Sequence, residues 1–247
     1  MEALLQYLLE PAIGAAGRVL DAKIAWHGRI MVLAWGVLIP LGIVVARFMK
    51  VLPRQAWPQR LDNPSWWYAH RATHYSGVVL SLIGAALAWS AAKNPDMLRS
   101  THTTLGRMVV GLGLAQVVAG FLRGSKGGPT GQAMRGDHYD MTARRVWFER
   151  LHKAVGYCAI FLACATLLLG LAAADAPRWM WIALIAWWLL IGAIGVRWQA
   201  QGRAFDTYQA IWGPGKEHPG NRRKPVGLGT HRYSRHSYER KFPRSLL

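Results

Sequence analysis

Five long apolar segments constrain this chain most, at about residues 24–50, 67–91, 102–123, 148–173 and 177–200. A helix crossing the ~30 Å hydrocarbon core of a bilayer takes about 20 predominantly apolar residues. The 102–123 segment is short by that measure and carries Arg107, but Val32–Val45 and Ile182–Val196 show no polar stripe at all. A helix of a soluble bundle keeps one wet face. Breakers separate the segments: Pro53, Pro58 and Pro64, then Asn94-Pro95, then the run 124–136, then Asp175 to Pro177. The expected fold is all-α, an integral membrane bundle of five transmembrane helices.

Charge is segregated from this apolar content. The chain is 52% hydrophobic yet carries a formal net charge of +18. The connection after the first segment holds Arg47, Lys50, Arg54 and Arg60. The one after the third holds Arg123, Lys126, Arg135, Arg144, Arg145 and Arg150, and eleven basic residues follow from Arg197 onward. The other side has only Arg18, Lys23, Lys93, Arg99 and Arg178. The positive-inside bias predicts an outer N-terminus and a cytoplasmic C-terminus. Trp26, Trp57, Trp66, Trp67, Trp147, Trp179, Trp181 and Trp198 stand near predicted span ends, as interfacial anchors do. Residues 1–23 lack a basic n-region and carry Glu2 and Glu10, so a short interfacial helix is expected there rather than a cleaved leader. A bacterial inner membrane is the expected setting.

Four histidines stand near the starts of the first four segments: His27, His70, His102 and His152. Because successive spans alternate direction, His27 and His102 fall near one surface, and His70 and His152 near the other. A single histidine in a span is as readily a polar contact between helices as a ligand. Four that match in two pairs point instead to two non-covalent bis-histidine haems and an electron path across the membrane. That makes the first four helices a haem-binding core. Gly106 and Gly156 each lie four residues after a histidine and on its face, where a missing side chain lets a flat ring approach. Gly28 and Gly77 are placed to do the same. Arg29 and Arg71, with Arg107, Arg150 and Lys153, stand beside the histidines, where guanidinium forks suit haem propionates. For Arg150 and Lys153, simple snorkelling explains the position equally well. His74 is one turn from His70, as a supporting donor, a propionate contact or an alternative ligand. His138, His218, His231 and His236 are not assigned to haem.

Residues 201–247 differ in kind: rich in Gly, Pro, Arg, Lys, His and Tyr, with almost no apolar run. Such a segment does not bury enough surface to fold alone. It reads as a solvated tail, an anionic-lipid contact or a strap ordered on a partner subunit. Nucleic acid is not expected as its partner beside an anionic bilayer surface. Cys158 and Cys164, six apart in one apolar segment, read as small core residues. No CxxCH is present for covalent haem attachment.

The histidine segments resemble the cytochrome b561 superfamily, in particular the transmembrane core of its DOMON-linked, ferric-reductase-like branch. His27-Gly28-Arg29 followed by Ala34-Trp35-Gly36, Pro40, Gly42, Ala46 and Arg47 is similar to that family's first core helix. Trp66-Trp67-Tyr68-Ala69-His70 is similar to its second motif. His102, Leu105, Gly106, Gln116 and Arg123 resemble the third, and Trp147, His152 and Gly156 the fourth. The likeness covers residues 24–200. It implies a di-haem b-type cytochrome, with the first and third histidines on one haem and the second and fourth on the other. Several members use ascorbate or ferric chelates. This chain departs from the pattern by having no DOMON domain before the first helix, His74 where the family often has Gln, and the basic tail. Quinone, ascorbate, a ferric chelate or a redox-partner subunit is therefore expected as donor or acceptor. The competing expectation is a haem-free accessory or assembly subunit that binds a partner through the tail.

Overall fold

The computed structural model describes residues 1–14, 21–91, 97–127 and 134–242. Arg18, Lys93, the Asn94-Pro95 breaker, the middle of the run 124–136 and the tail's Arg244 lie outside these residues. Among the described residues nine α-helices follow in order: α1 Glu2–Leu9, α2 Ala22–Phe48, α3 Ser65–Ala91, α4 Met97–Phe121, α5 Asp137–Asp140, α6 Ala143–Ala173, α7 Arg178–Ala200, α8 Thr207–Trp212 and α9 Arg235–Lys241. Five of them, α2, α3, α4, α6 and α7, are long and apolar enough to cross a membrane. Their exposed Val79, Met108, Phe161, Leu189 and Val196 are the side chains a lipid face requires. No strand occurs among the described residues.

Two of the spans begin earlier than their apolar runs suggest. In α4 the polar residues Thr101 and Thr104 bond back to the carbonyls of Met97 and Ser100 at 2.9 and 3.0 Å, so hydroxyls ride on the helix without breaking it. In α6 the Thr142 hydroxyl accepts the Arg145 N–H at 3.4 Å and admits Ala143 to Trp147 into the helix. His102 and His152 therefore sit one and two turns inside their helices rather than at the ends.

The chain packs as two units. The first comprises Met1–Gly42, Ala72–Ala115 and Gly156–Ala193. Its most informative feature is a π-helical stretch, Val32–Leu38, within α2. In an α-helix the Gly36 carbonyl would accept from residue 40, but Pro40 has no N–H to give. The indole N–H groups of Trp187 and Trp188 donate to that carbonyl instead, at 3.0 and 3.2 Å. Trp35 is buried and donates to the Ser81 hydroxyl at 2.7 Å. Gly77 is a helix-packing glycine: a Cβ there would lie 2.8 Å from Ile39. The N-terminal segment is fastened to the turn before α7, with Arg178 bonding Glu10 at 2.7 Å and the Ile13 N–H bonding Asp175. Cys158 and Cys164 are free thiols.

The second unit comprises Ile43–Arg71, Gln116–Val155 and Ile194–Leu247. Here the tail is not a solvated segment. Phe205, Ala210, Tyr233 and Tyr238 bury themselves with Val51 and Trp57, while Tyr208, Ile211 and Trp212 pack with Tyr139 and Met141. Trp57, read from sequence as a membrane anchor, is only 2% exposed and belongs to this cluster. The tail folds because the connections after α2 and α4 supply the apolar surface it lacks alone. Arg232 locks it, bonding Asp206 at 2.5 Å and the carbonyls of Gly220, Asn221 and Arg223.

Candidate cofactor site

In the first unit, His27 of α2 and His102 of α4 bring their ring centroids to 6.0 Å, with planes at 89°. In the second, His70 of α3 and His152 of α6 approach to 6.2 Å at 80°. Two metal–imidazole bonds of about 2 Å, plus roughly one ring radius at each end, span about 6 Å. An edge-on ring contact falls in the same range, so the decisive feature is what the ring nitrogens do.

His27 Nδ1 lies 2.8 Å from the Gly84 carbonyl, and His102 Nδ1 lies 3.0 Å from the Thr166 carbonyl. A carbonyl only accepts, so both Nδ1 atoms carry the proton and both Nε2 atoms keep a lone pair. This is the arrangement by which a backbone acceptor fixes the tautomer of a metal-binding histidine and raises its basicity. Gly170 completes it. A Cβ there would stand 2.8 Å from His102 Cε1, so only glycine leaves room for the ring. These residues fit an axial pair for a metal macrocycle.

The second pair is built differently. His152 stacks on Phe148, one turn earlier, with centroids 5.1 Å apart and planes at 24°. Gln116 Nε2 donates to the His152 carbonyl at 3.1 Å. The buried His152 Nδ1 and Gln116 Oε1 have no hydrogen-bond partner among the described residues. An unpartnered buried imidazole nitrogen is costly unless something else uses it, which again fits a ligand. His70 lies 6.3 Å from Trp67, whose ring also carries the guanidinium of Arg123 at 4.0 Å and of Arg71 at 5.6 Å.

The supporting residues read from sequence fare unevenly. Gly106 is half-buried, and a Cβ there would meet only Thr166 at 3.8 Å, an ordinary contact. Gly28 faces open space. Gly156 is half-buried on α6. The exposed Arg29 leans on Trp26, with its guanidinium 5.1 Å from the ring, and Arg107 and Arg150 lean likewise on Trp89 and Trp147. His74 lies beside Thr73 at 3.4 Å, in a space that a Cβ on Gly42 would close. His138 is 1% exposed and neutral, pushed down to about 3 by burial and then by Arg145. Sequence reasoning missed Gly84, Thr166, Gly170 and Phe148. Backbone acceptors leave no sequence signal, although the glycine at 170 is the trace of the close approach of His102.

A sequence profile described as Eukaryotic cytochrome b561 matches residues 26–178. Two cytochrome b561 and DOMON domain-containing proteins of Arabidopsis thaliana are 30% and 26% identical to this chain over 169 residues. Those matches cover 68% of this chain and 36% and 37% of the relatives. Ferric-chelate reductase 1 of Homo sapiens is 28% identical over 135 residues, 54% of this chain and 22% of that protein. The chain thus spans little more than a third of the plant relatives it matches. No solved structure matches it.

Proposed function

Because the chain belongs to the cytochrome b561 family, whose haem-containing members transfer electrons across membranes, we propose that it binds two non-covalent haems b. His27 and His102 are the axial ligands of one, and His70 and His152 of the other. The observation that carries this reading is the pair of Nδ1–carbonyl bonds at His27 and His102. Haem iron, when bound, supplies a one-electron couple. The protein's part would be to hold it between two imidazoles, fix their planes and keep Nε2 unprotonated, which would favour electron transfer over oxygen binding. Arg29 and Arg71 are proposed to swing to propionates from their tryptophan rests, and Gly106 and Gly156 to leave the adjoining helix faces open.

The proposed orientation places the N-terminus outside and the C-terminus in the cytoplasm, supported by the basic residues after α2, α4 and α7. The setting of a bacterial inner membrane rests on the sequence alone, and the relatives named above are plant and human. Donor and acceptor are proposed among quinone, ascorbate, a ferric chelate and a redox-partner subunit, with membrane lipid around the spans.

Pyridine haemochrome assay on purified variants tests the ligand set. His27→Ala and His102→Ala should each lose the same one of two haems, and His70→Ala and His152→Ala the other. Retention of both haems by any one of the four contradicts it.

A further inference from the structure

Within the tail, three consecutive cations, Arg222, Arg223 and Lys224, run into Pro225, Val226 and the triplet Gly227-Leu228-Gly229, with no acidic residue among them. The three cations are exposed, and Leu228 is 76% exposed. One bare leucine is ordinary on the surface of a soluble protein. Here its placement sets it apart. Gly227 and Gly229 take φ of +125° and +59°, so the chain turns on both sides of Leu228 and leaves it at the tip of a loop.

Two side chains fix the level of that tip. Arg47 donates to the Leu228 carbonyl at 2.7 Å, and Gln199 Nε2 to the Gly229 carbonyl at 2.7 Å. Arg47 is the last residue but one of α2, and Gln199 the last but one of α7. The loop therefore lies level with the ends of two spanning helices, where hydrocarbon gives way to headgroups. Val196, three residues before Gln199 and on its face of α7, is 72% exposed, as a lipid-facing side chain is. The loop is also rigid. The His231 N–H donates to the Ala204 carbonyl at 2.8 Å, and the His231 carbonyl accepts the Asp206 N–H at 2.9 Å. Arg232 gathers the carbonyls of Gly220, Asn221 and Arg223, so the three cations ride on fixed backbone. A surface ordered in advance loses little freedom when it binds.

We propose that the tail touches the bilayer through this segment: Leu228 enters the acyl boundary, and Arg222, Arg223 and Lys224 take the phosphates of anionic phospholipid headgroups. Apolar insertion joined to cation–headgroup attraction is how interfacial segments hold to membranes. Each Lys or Arg beside an anionic surface strengthens such a contact roughly fivefold. An acidic protein would use the three cations equally well, but the level of the loop and the bare Leu228 at its tip favour lipid. The contact makes the seating of the tail respond to the charge of the membrane, and it stands apart from the haem assignment above.

The test uses the full chain in nanodiscs of phosphatidylcholine, with or without phosphatidylglycerol. In the wild-type protein, trypsin should cut the Arg222-Arg223-Lys224 run about tenfold more slowly when phosphatidylglycerol is present. High salt should remove that protection, because exposed charge contacts are screened, with trypsin's own salt response corrected on a soluble peptide. Depth is read separately. A nitroxide on Leu228→Cys, in a chain carrying Cys158→Ala and Cys164→Ala, should be accessible to oxygen and shielded from a water-soluble nickel chelate in the anionic nanodiscs. Adding Arg222→Gln, Arg223→Gln and Lys224→Gln should shift it towards the chelate. A tryptic rate indifferent to phosphatidylglycerol overturns the proposal, as does a nitroxide open to nickel in anionic nanodiscs. A nitroxide shielded from both reagents also overturns it, since protein rather than lipid would then cover the loop.

Discussion

The two histidine pairs share a spacing and differ in how they are held. His27 and His102 hang from backbone carbonyls of Gly84 and Thr166, so the scaffold is the main chain of two helices. His152 is held by the stacked ring of Phe148 and leaves a buried Nδ1 without a partner. A carbonyl-bonded imidazole is the more basic ligand and favours the oxidised metal. The second pair also stands among cations, with Arg71 and Arg123 against Trp67 and Lys153 next in sequence. Both differences act in one direction: a haem held by the first pair would have a lower midpoint potential than one held by the second. Similar distances thus produce unlike sites, because the surroundings of the ligand set its electronics.

The largest effect that sharpens this contrast is at Gly170. Gly170→Val should displace His102 and weaken only the first haem, by roughly 10–100-fold in affinity, the cost of losing a supporting contact to a ligand. Retention titration against apomyoglobin measures it, and an equal loss from both sites would break the distinction. Next is Phe148→Ala, which removes a stacking contact of about 1 kcal/mol and should loosen the second haem several-fold while sparing the first. Low-temperature EPR of the two low-spin signals resolves which site responds. A smaller effect lies under the tail, in the connection after α2. Lys50 faces Arg47, Lys153, Glu149 and Asp206, and its proton affinity in the folded protein is depressed to about 7 from the ordinary lysine value of about 10.4. With the tail undocked, Lys50 therefore binds more protons between these limits, so docking strengthens as pH rises from about 7 towards 10 and is weakest, and flat, below about 7. Tryptic cleavage of the tail should be several-fold faster at pH 7 than at pH 9, after correction for trypsin's own profile, and Lys50→Met should flatten the difference.

The spans and the four histidines were legible because each rests on a property that sequence carries directly: apolar length for the helices, and polar cost inside a membrane for the histidines. The early starts of α4 and α6 were not, since they lie before the apolar runs, where the Thr101 and Thr142 hydroxyls bond the helix backbone. The anchors of His27 and His102 were hidden for a stronger reason. Every residue offers the same carbonyl acceptor as Gly84 or Thr166 offers, and only the packing selects which one is near. The way the tail packs was not legible in its composition. Its buried residues Phe205, Tyr208, Trp212, Tyr233 and Tyr238 are scattered among glycines and cations, and the surface that receives them, Val51, Trp57, Tyr139 and Met141, lies in connections that show no periodicity. Folding there depends on complementarity between two irregular segments, which no single-segment pattern reveals.

The most direct measurement is haem stoichiometry in the purified full chain, by pyridine haemochrome against amino-acid analysis, with a potentiometric titration of the reduced bands. The account predicts about two haems b per chain, both low-spin, titrating in two resolved steps with the first-pair haem the lower. One haem per chain, or none, contradicts it.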